Sequence, residues 1–335
     1  MEQNKDKGGY RFGIELEYRL TLRHNRDDYS DRQKIKKRLA ELWNEAGNGV
    51  QGHISMTYGG PMDKAKDFKV WSIVDEDSME GSPDPLTFGY EFVSPIFKYE
   101  EGMKWANQIK RLSNYIMQHT EPGMNETTGL HVHVSPANGR WSLADLKRVA
   151  EAIVYFDEPL RTLFPEHKYT KACLKSNLRD NPSFSTLLPG QSANSLVQNA
   201  QTIDELIDIM NPMKEEDVCS RRTYAWNFTN NSENPSICAT LSKNTIEFRC
   251  PRSTTECKLI EQWIAFTVTF LHGSAAPYES ENIYNDFEPT LDGLNGFLCH
   301  NRPPGGTDDY CWEKHLSTDM RARVVDGLGH HTVDF

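Results

Sequence analysis

Near its start the chain reads Arg11-Phe12-Gly13-Ile14-Glu15-Leu16-Glu17-Tyr18-Arg19-Leu20, alternating apolar and polar residues without a slip. A period of two is that of a β-strand. Phe12, Ile14, Leu16, Tyr18 and Leu20 fall on one face, and Gly13, Glu15, Glu17 and Arg19 on the other. The polar face raises the question. Two carboxylates about 7 Å apart on one face repel each other, and glutamate is a weak strand former. A solvated outer face accounts for one such pair, and so does a cation site.

The same parity carries chemistry elsewhere. In Phe88-Gly89-Tyr90-Glu91-Phe92, Glu91 opposes the aromatic residues. In Gly129-Leu130-His131-Val132-His133-Val134-Ser135, the two histidines share a face and the aliphatic residues take the other. Thr223 to Phe228 aligns Ala225 with Asn227, and Asn244 to Arg249 aligns Thr245, Glu247 and Arg249. A solvated face would mix Lys, Ser, Thr and Gln with its acids. These faces are almost free of Lys and rich in Glu and His. Four carboxylates and two imidazoles make a donor set for two or more divalent cations, with mainly oxygen ligands suiting Mg²⁺ or Mn²⁺. That reading requires the strands to share a sheet.

Between these strands the apolar spacing changes to that of helices, at 31–46, 100–118, 142–163, 203–210 and 256–271, with Ser142 to Asp145 resembling a capping box. A further strand is expected at 69–74. Residues 47–68 and 119–128 read as loops, 165–222 as mostly polar, and the last sixty residues as irregular. Strands with one polar face exclude a doubly wound parallel sheet and predict an α+β fold, an antiparallel-rich sheet with helices on one side.

The composition narrows the function. A formal net charge of -11 argues against a general nucleic-acid binder, which needs a basic stripe. The polar first ten residues hold no apolar core of a signal peptide, and the apolar run Trp263 to Leu271 is too short to span a bilayer. Seven scattered cysteines without a C-x-x-C pair suggest reduced thiols and a cytoplasmic protein without a membrane partner. No P-loop, H-E-x-x-H or G-x-S-x-G is present. Gly47 to Gly52 matches G-x-G-x-x-G but follows a predicted helix, so it reads as a chance turn.

The ordered set of motifs resembles the amidoligase family, ATP-dependent carboxylate–amine ligases related to glutamine synthetase and γ-glutamylcysteine ligase. It comprises Phe12 to Glu17, Asp77-Ser78, Tyr90 to Pro95, Thr128 to Val134, Arg222 with Asn227, and Thr245 to Arg249. The resemblance implies a sheet curved into a half-barrel, with helices on its convex face and ATP and two or three Mg²⁺ or Mn²⁺ ions in its concavity. It implies a catalytic domain over residues 1–275, interrupted by an insertion at about 165–222, with 276–335 as an irregular extension packed on it. By motif position, Glu15, His131 and Glu247 hold one metal, and Glu17 and Glu91 another. His133 and Arg249 contact phosphate, with Asn227 and Arg252 as further nucleotide contacts. Arg222 meets phosphate or the acyl phosphate, and Asp77 lies near the amine.

The substrates implied are a small-molecule or peptide carboxylate and an amine; neither their identity nor the oligomeric state follows from the sequence. Plainer readings stand beside these. Arg222 could pair with a surface acid, Asp77-Ser78 could be a turn, and Arg252 could be solvated. His167, His300, His330 and His331 read as exposed. A metal-dependent hydrolase, or a nucleotide- or metal-binding domain without catalysis, would use the same Glu/His set.

Overall fold

The computed structural model describes residues 9–23, 31–59, 68–79, 86–99, 104–125, 127–137, 139–164, 174–188, 190–214, 217–237, 243–277 and 286–303. The expectations for His167, His330, His331 and residues 304–335 fall outside them. The chain divides into two compact units. The first comprises residues 11–132 and 251–264, and the second the described parts of 9–10, 133–250 and 265–303.

In the first unit the alternating segment is strand β1 (Tyr10–Leu22). Helix α1 (Arg32–Gly47) follows, opened by Asp31, whose carboxylate accepts the Gln33 N–H at 2.7 Å. Then come β2 (Met56–Tyr58), β3 (Trp71–Asp75), β4 (Phe88–Val93), β5 (Phe97–Tyr99), α2 (Lys104–His119), β6 (Thr120–Gly123) and the start of β7 (Leu130–Pro136). The strand order is β2-β3-β4-β1-β7, with β5 and β6 also pairing β1. β2 runs parallel to β3, while β3–β4, β1–β4 and β1–β6 are antiparallel. The core is the apolar parity of β1: Phe12 meets Phe97, Tyr99 and Trp105, and Tyr18 meets Phe92. The loop expected at 119–128 holds β6, whose Pro122 and Gly123 hide the strand from propensity.

The second unit takes β7 onward into α3 (Leu143–Tyr155), α4 (Asp157–Thr162), α5 (Pro182–Ser185), α6 (Ala193–Asn199), α7 (Ile203–Met210), β8 (Trp226–Asn227), β9 (Ile246–Phe248), the later turns of α8 (Cys257–Ala275), and α9 (Leu291–His300). Its strand order is β7-β9-β8, and neither run of strands closes on itself. The predicted helix at 142–163 is two helices, broken at Phe156. Trp226 packs on Phe248 and Phe270 with ring centroids 4.4 and 5.0 Å apart, the aromatic floor under β8 and β9. The architecture is α+β, a mixed and mostly antiparallel set of strands with helices.

Segment 165–222 anchors β8 through buried asparagines. Asn177 accepts the Trp226 N–H and donates to its carbonyl, both at 2.8 Å. Asn211 accepts the Phe228 N–H at 2.9 Å and donates to the Trp226 carbonyl at 2.9 Å. A strand of two residues cannot hold itself by a ladder, and these side chains supply the missing partners. The final segment is not wholly irregular either: α9 is capped by Thr290, which accepts the Gly293 N–H at 3.1 Å, and it buries Leu294, Phe297 and Leu298.

Candidate active site

In the first unit β1 pairs with β4 so that Glu17 lies opposite Glu91 and Glu15 opposite Val93. Opposed residues of an antiparallel pair share a face with Cβ atoms about 5 Å apart. Glu15, Glu17 and Glu91 therefore converge on one side of the strands. Glu15 and Glu17 are 8% and 7% exposed, so this polar face is not a solvated one. β7 adds His131, with Nδ1 3.4 Å from Glu15 Oε2 and Nε2 3.6 Å from Glu17 Oε1. Gly129 permits the approach. Its N–H donates to Glu17 Oε2 at 2.7 Å, and a Cβ there would stand 2.6 Å from His131 Nε2.

Crowding shows in the electrostatics. Burial pushes the Glu91 carboxyl well above the usual carboxylate range, and the charges of Glu15 and Glu17 push it further. A smaller push comes from Glu76, a residue that periodicity does not single out. The β3–β4 register explains it. Val74 opposes Glu91, and the Glu76 N–H continues the ladder by donating to Gly89 O at 3.2 Å, which returns residue 76 to the face of residue 74. Its neighbour Asp77 is exposed and paired with Arg32. Of the two acids, Glu76 is the one whose charge reaches the cluster. No local pattern marks Glu76: it precedes Asp77-Ser78, which reads as a turn, and its place on this face follows from the register of β3 with β4.

The second unit holds the other predicted residues. β8 and β9 pair Asn227 with Glu247. Glu247 is fully buried; its Oε2 accepts from Asn227 Nδ2 at 2.7 Å and its Oε1 from Arg249 Nη1. His133 sets Nε2 3.6 Å from Glu247 Oε1 and Nδ1 3.3 Å from Thr245 Oγ1. Asn227 Oδ1 accepts the Thr229 N–H at 3.0 Å. Its amide is thus engaged on both sides, and its local role is to orient Glu247. Arg222 is half-buried in the 3₁₀ turn Val218–Thr223, and among the described residues no hydrogen bond joins it to Glu247. The buried arginine of that turn is Arg221, 2.7 Å from Asp208 and 3.0 Å from the Asn211 carbonyl. Arg252, in the first unit, is half-buried and bridges Gly129 through its backbone. His300 is exposed, as its polar surroundings suggest.

Residues 9–271 match a family described as "Putative amidoligase enzyme". The chain belongs to this amidoligase family. It matches no curated protein. Among solved structures it is similar to the cryo-EM structure of Plasmodium falciparum glutamine synthetase, at 10% identity and a TM-score of 0.39, covering 96% of this chain and 71% of that one. No helix among the described residues of the amidoligase is long and apolar enough to cross a membrane.

Its donor chemistry suits a divalent cation. Buried carboxylates without countercharge are costly, and burial, then the charges of Glu15 and Glu17, drive Glu91 toward its neutral form. Carboxylate oxygens such as those of Glu15, Glu17 and Glu91, with an imidazole nitrogen such as that of His131, are the kinds of donor that Mg²⁺ or Mn²⁺ takes. Around Glu247 the character is mixed: the carboxylate is held by an amide and a guanidinium, and Arg249 presents fixed positive charge.

Proposed function

We propose that this amidoligase is an ATP-dependent carboxylate–amine ligase that forms an amide or isopeptide bond through an acyl phosphate. Supporting this most is the pairing of Glu17 with Glu91, with Glu15 and His131 beside them, buried within the stretch that defines the family. In the same reading the strands form a glutamine synthetase-like half-barrel with helices on its convex side. Residues 1–275 act as the catalytic domain, with 165–222 and 276–335 as elaborations.

The chemistry requires two kinds of site. A carboxylate is a poor electrophile. Its oxygen must attack the γ-phosphorus of ATP, releasing ADP and leaving an acyl phosphate. The amine then attacks the acyl carbon, phosphate departs, and an acidic group takes the amine proton. When bound, Mg²⁺ or Mn²⁺ would offset the charge of the transferring phosphoryl group. Glu15, Glu17, Glu91, His131 and Glu247 are the residues to hold such ions. Arg249, kept in place by Glu247, and His133 are assigned to the phosphates, with Arg252 and Arg222 as further anion contacts. Asn227 keeps the Glu247 carboxylate aimed. On the amine side the acids are Asp77 and Glu76; Glu76 lies on the face of Glu91, whereas Asp77 is exposed and paired with Arg32.

The test is direct. Pure protein is incubated with ATP, Mg²⁺ or Mn²⁺ and pools of amino acids and amines, and ADP is followed. Release that needs both an acid and an amine supports the ligase. Release of substrate fragments without ATP would indicate a metal-dependent hydrolase, and ATP binding with no ADP from any pair would indicate a non-catalytic domain. Glu15→Gln is expected to abolish turnover with an unchanged circular dichroism spectrum, and full activity in that variant would reject the site assignment.

A further inference from the structure

The corner after β3 is built around one guanidinium that the proposed reaction does not use. Arg32 opens α1. Its Nε stands 3.0 Å from Asp75 Oδ1, and its Nη1 pairs with the Asp77 carboxylate. Nη2 donates to the Glu76 carbonyl at 3.0 Å and also to the Gly89 carbonyl. The cation lies 5.8 Å from the centre of the Tyr90 ring, and the Tyr90 hydroxyl donates to the Arg32 carbonyl at 3.2 Å. One side chain thus grips three consecutive residues, 75 to 77, and ties them to β4. The first acid of the corner has a further counterion from the same helix: the fully buried Lys36 places Nζ 3.0 Å from Asp75 Oδ1.

The consequence falls on Glu76. Asp75 opposes Tyr90, and so shares the face of that ring, where Arg32 also sits; Glu76 alternates to the other face, that of Glu91. Its backbone is pressed onto β4, where a Cβ on Gly89 would lie 2.3 Å from the Glu76 carbonyl oxygen. Its carboxylate accepts the Ser78 N–H at 2.8 Å, which limits how the side chain can turn. Three successive acids beside a cluster of carboxylates would otherwise splay apart by repulsion. An arginine can satisfy several acceptors in one plane, which a lysine cannot.

We propose that Arg32 is a positioning residue for the acidic centre of the first unit, holding the 75–77 corner against β4 so that the Glu76 carboxylate is presented beside Glu91. This rests on the cation-binding part of the proposed function and not on the ligase step.

The experiment is a double-mutant cycle read by calorimetric titration of the full chain with Mn²⁺, using wild type, Glu76→Gln, Arg32→Lys, Arg32→Met and the two double variants. Removing the Glu76 charge from wild type is expected to weaken Mn²⁺ binding on the order of tenfold. In either Arg32 background the same change is expected to have little further effect, because the carboxylate no longer faces the cluster. Arg32→Lys, which keeps the charge and loses the fork, should behave like Arg32→Met. It also carries the cycle by itself if Arg32→Met does not fold.

A purely structural arginine would lower Tm but leave the Glu76→Gln penalty unchanged in the Arg32→Lys background, and that additivity would overturn the proposal. A wild-type-like Arg32→Lys would overturn it too, since charge alone would then suffice. Wild-type protein that binds no Mn²⁺ would overturn this inference together with the cation site. Coupling intact without ADP release would overturn the ligase reading alone.

Discussion

Gly129 shows how closely the acidic cluster depends on single atoms. It donates to Glu17 while leaving room for His131, and a methyl group there would meet His131 Nε2 at 2.6 Å and Glu17 Oε2 at 3.1 Å. Gly129→Ala is therefore expected to weaken Mn²⁺ binding roughly ten- to hundredfold, the usual range for disturbing what orients a ligand, as measured by calorimetric titration. His53 makes a different kind of prediction. Its Nδ1 lies 3.1 Å from Arg111 Nη2, and a guanidinium only donates, so the ring is a neutral acceptor. Burial, and then the Arg111 charge, hold its pKa below the ordinary histidine value. The unfolded chain thus takes up this proton at a higher pH than the folded one. Stability from this source is full above the ordinary value and declines as pH falls through it. The urea midpoint should drop between about pH 7.5 and about pH 5.5, and His53→Gln should drop less over the same interval. At this scale the cluster residues were legible as parity, since alternation names Glu15, Glu17, Glu91 and the two histidines. Glu76 was not, because its membership depends on the register with β4, which no local pattern encodes.

Elements separate by how their positions are held. β1, β7, α2 and α8 carry long apolar periods, and their places in the chain follow from those periods. β8 has two residues, and its neighbours hold it by side-chain amides from a stretch with no periodicity. Hydrogen-bonded asparagines carry no hydrophobic signature, which is why 165–222 could not be read although it anchors the strand bearing Asn227. Asn211 is fully buried, and its loss would strand the Phe228 N–H and leave the Trp226 carbonyl to Asn177 alone. Asn211→Ala is expected to cost roughly 2–4 kcal/mol in chemical denaturation, with Asn177→Ala similar. The helix α9 was obscured for another reason: Gly293 and Gly296 lower its propensity. The two differ in their surroundings. A Cβ at Gly293 would stand 1.9 Å from the Glu288 carbonyl oxygen, while one at Gly296 would make ordinary contacts with Phe287 at 3.6 and 3.8 Å. Gly296→Ala should stabilise by about 0.5–1 kcal/mol, and Gly293→Ala should destabilise, so thermal melts of the pair would move in opposite directions.

For the molecule as a whole, the question is what its charge arrangement requires of a ligand. The chain carries an excess of acids, and in the first unit several of them are buried against one another with one imidazole among them. In the proposed reading cations offset this crowding, and a ligand that binds the folded state alone raises stability by about 2.7 kcal/mol at a hundredfold excess over Kd. Mn²⁺ or Mg²⁺ should therefore raise Tm, whereas Na⁺ at equal ionic strength should do so only slightly, since screening does not replace coordination. ATP is expected to add to the rise only when a divalent cation is present. Glu247 distinguishes the two contributions. Both of its oxygens accept from fixed donors, Asn227 and Arg249. A glutamine there must turn an NH₂ toward one of them, setting donor against donor. Glu247→Gln is thus expected to lower the metal-free Tm and to lose the increment from ATP as Arg249 is released. A variant that kept the full ATP increment would show that Arg249 does not serve the nucleotide, and the anion-binding half of the proposed reaction would have to be placed on other residues.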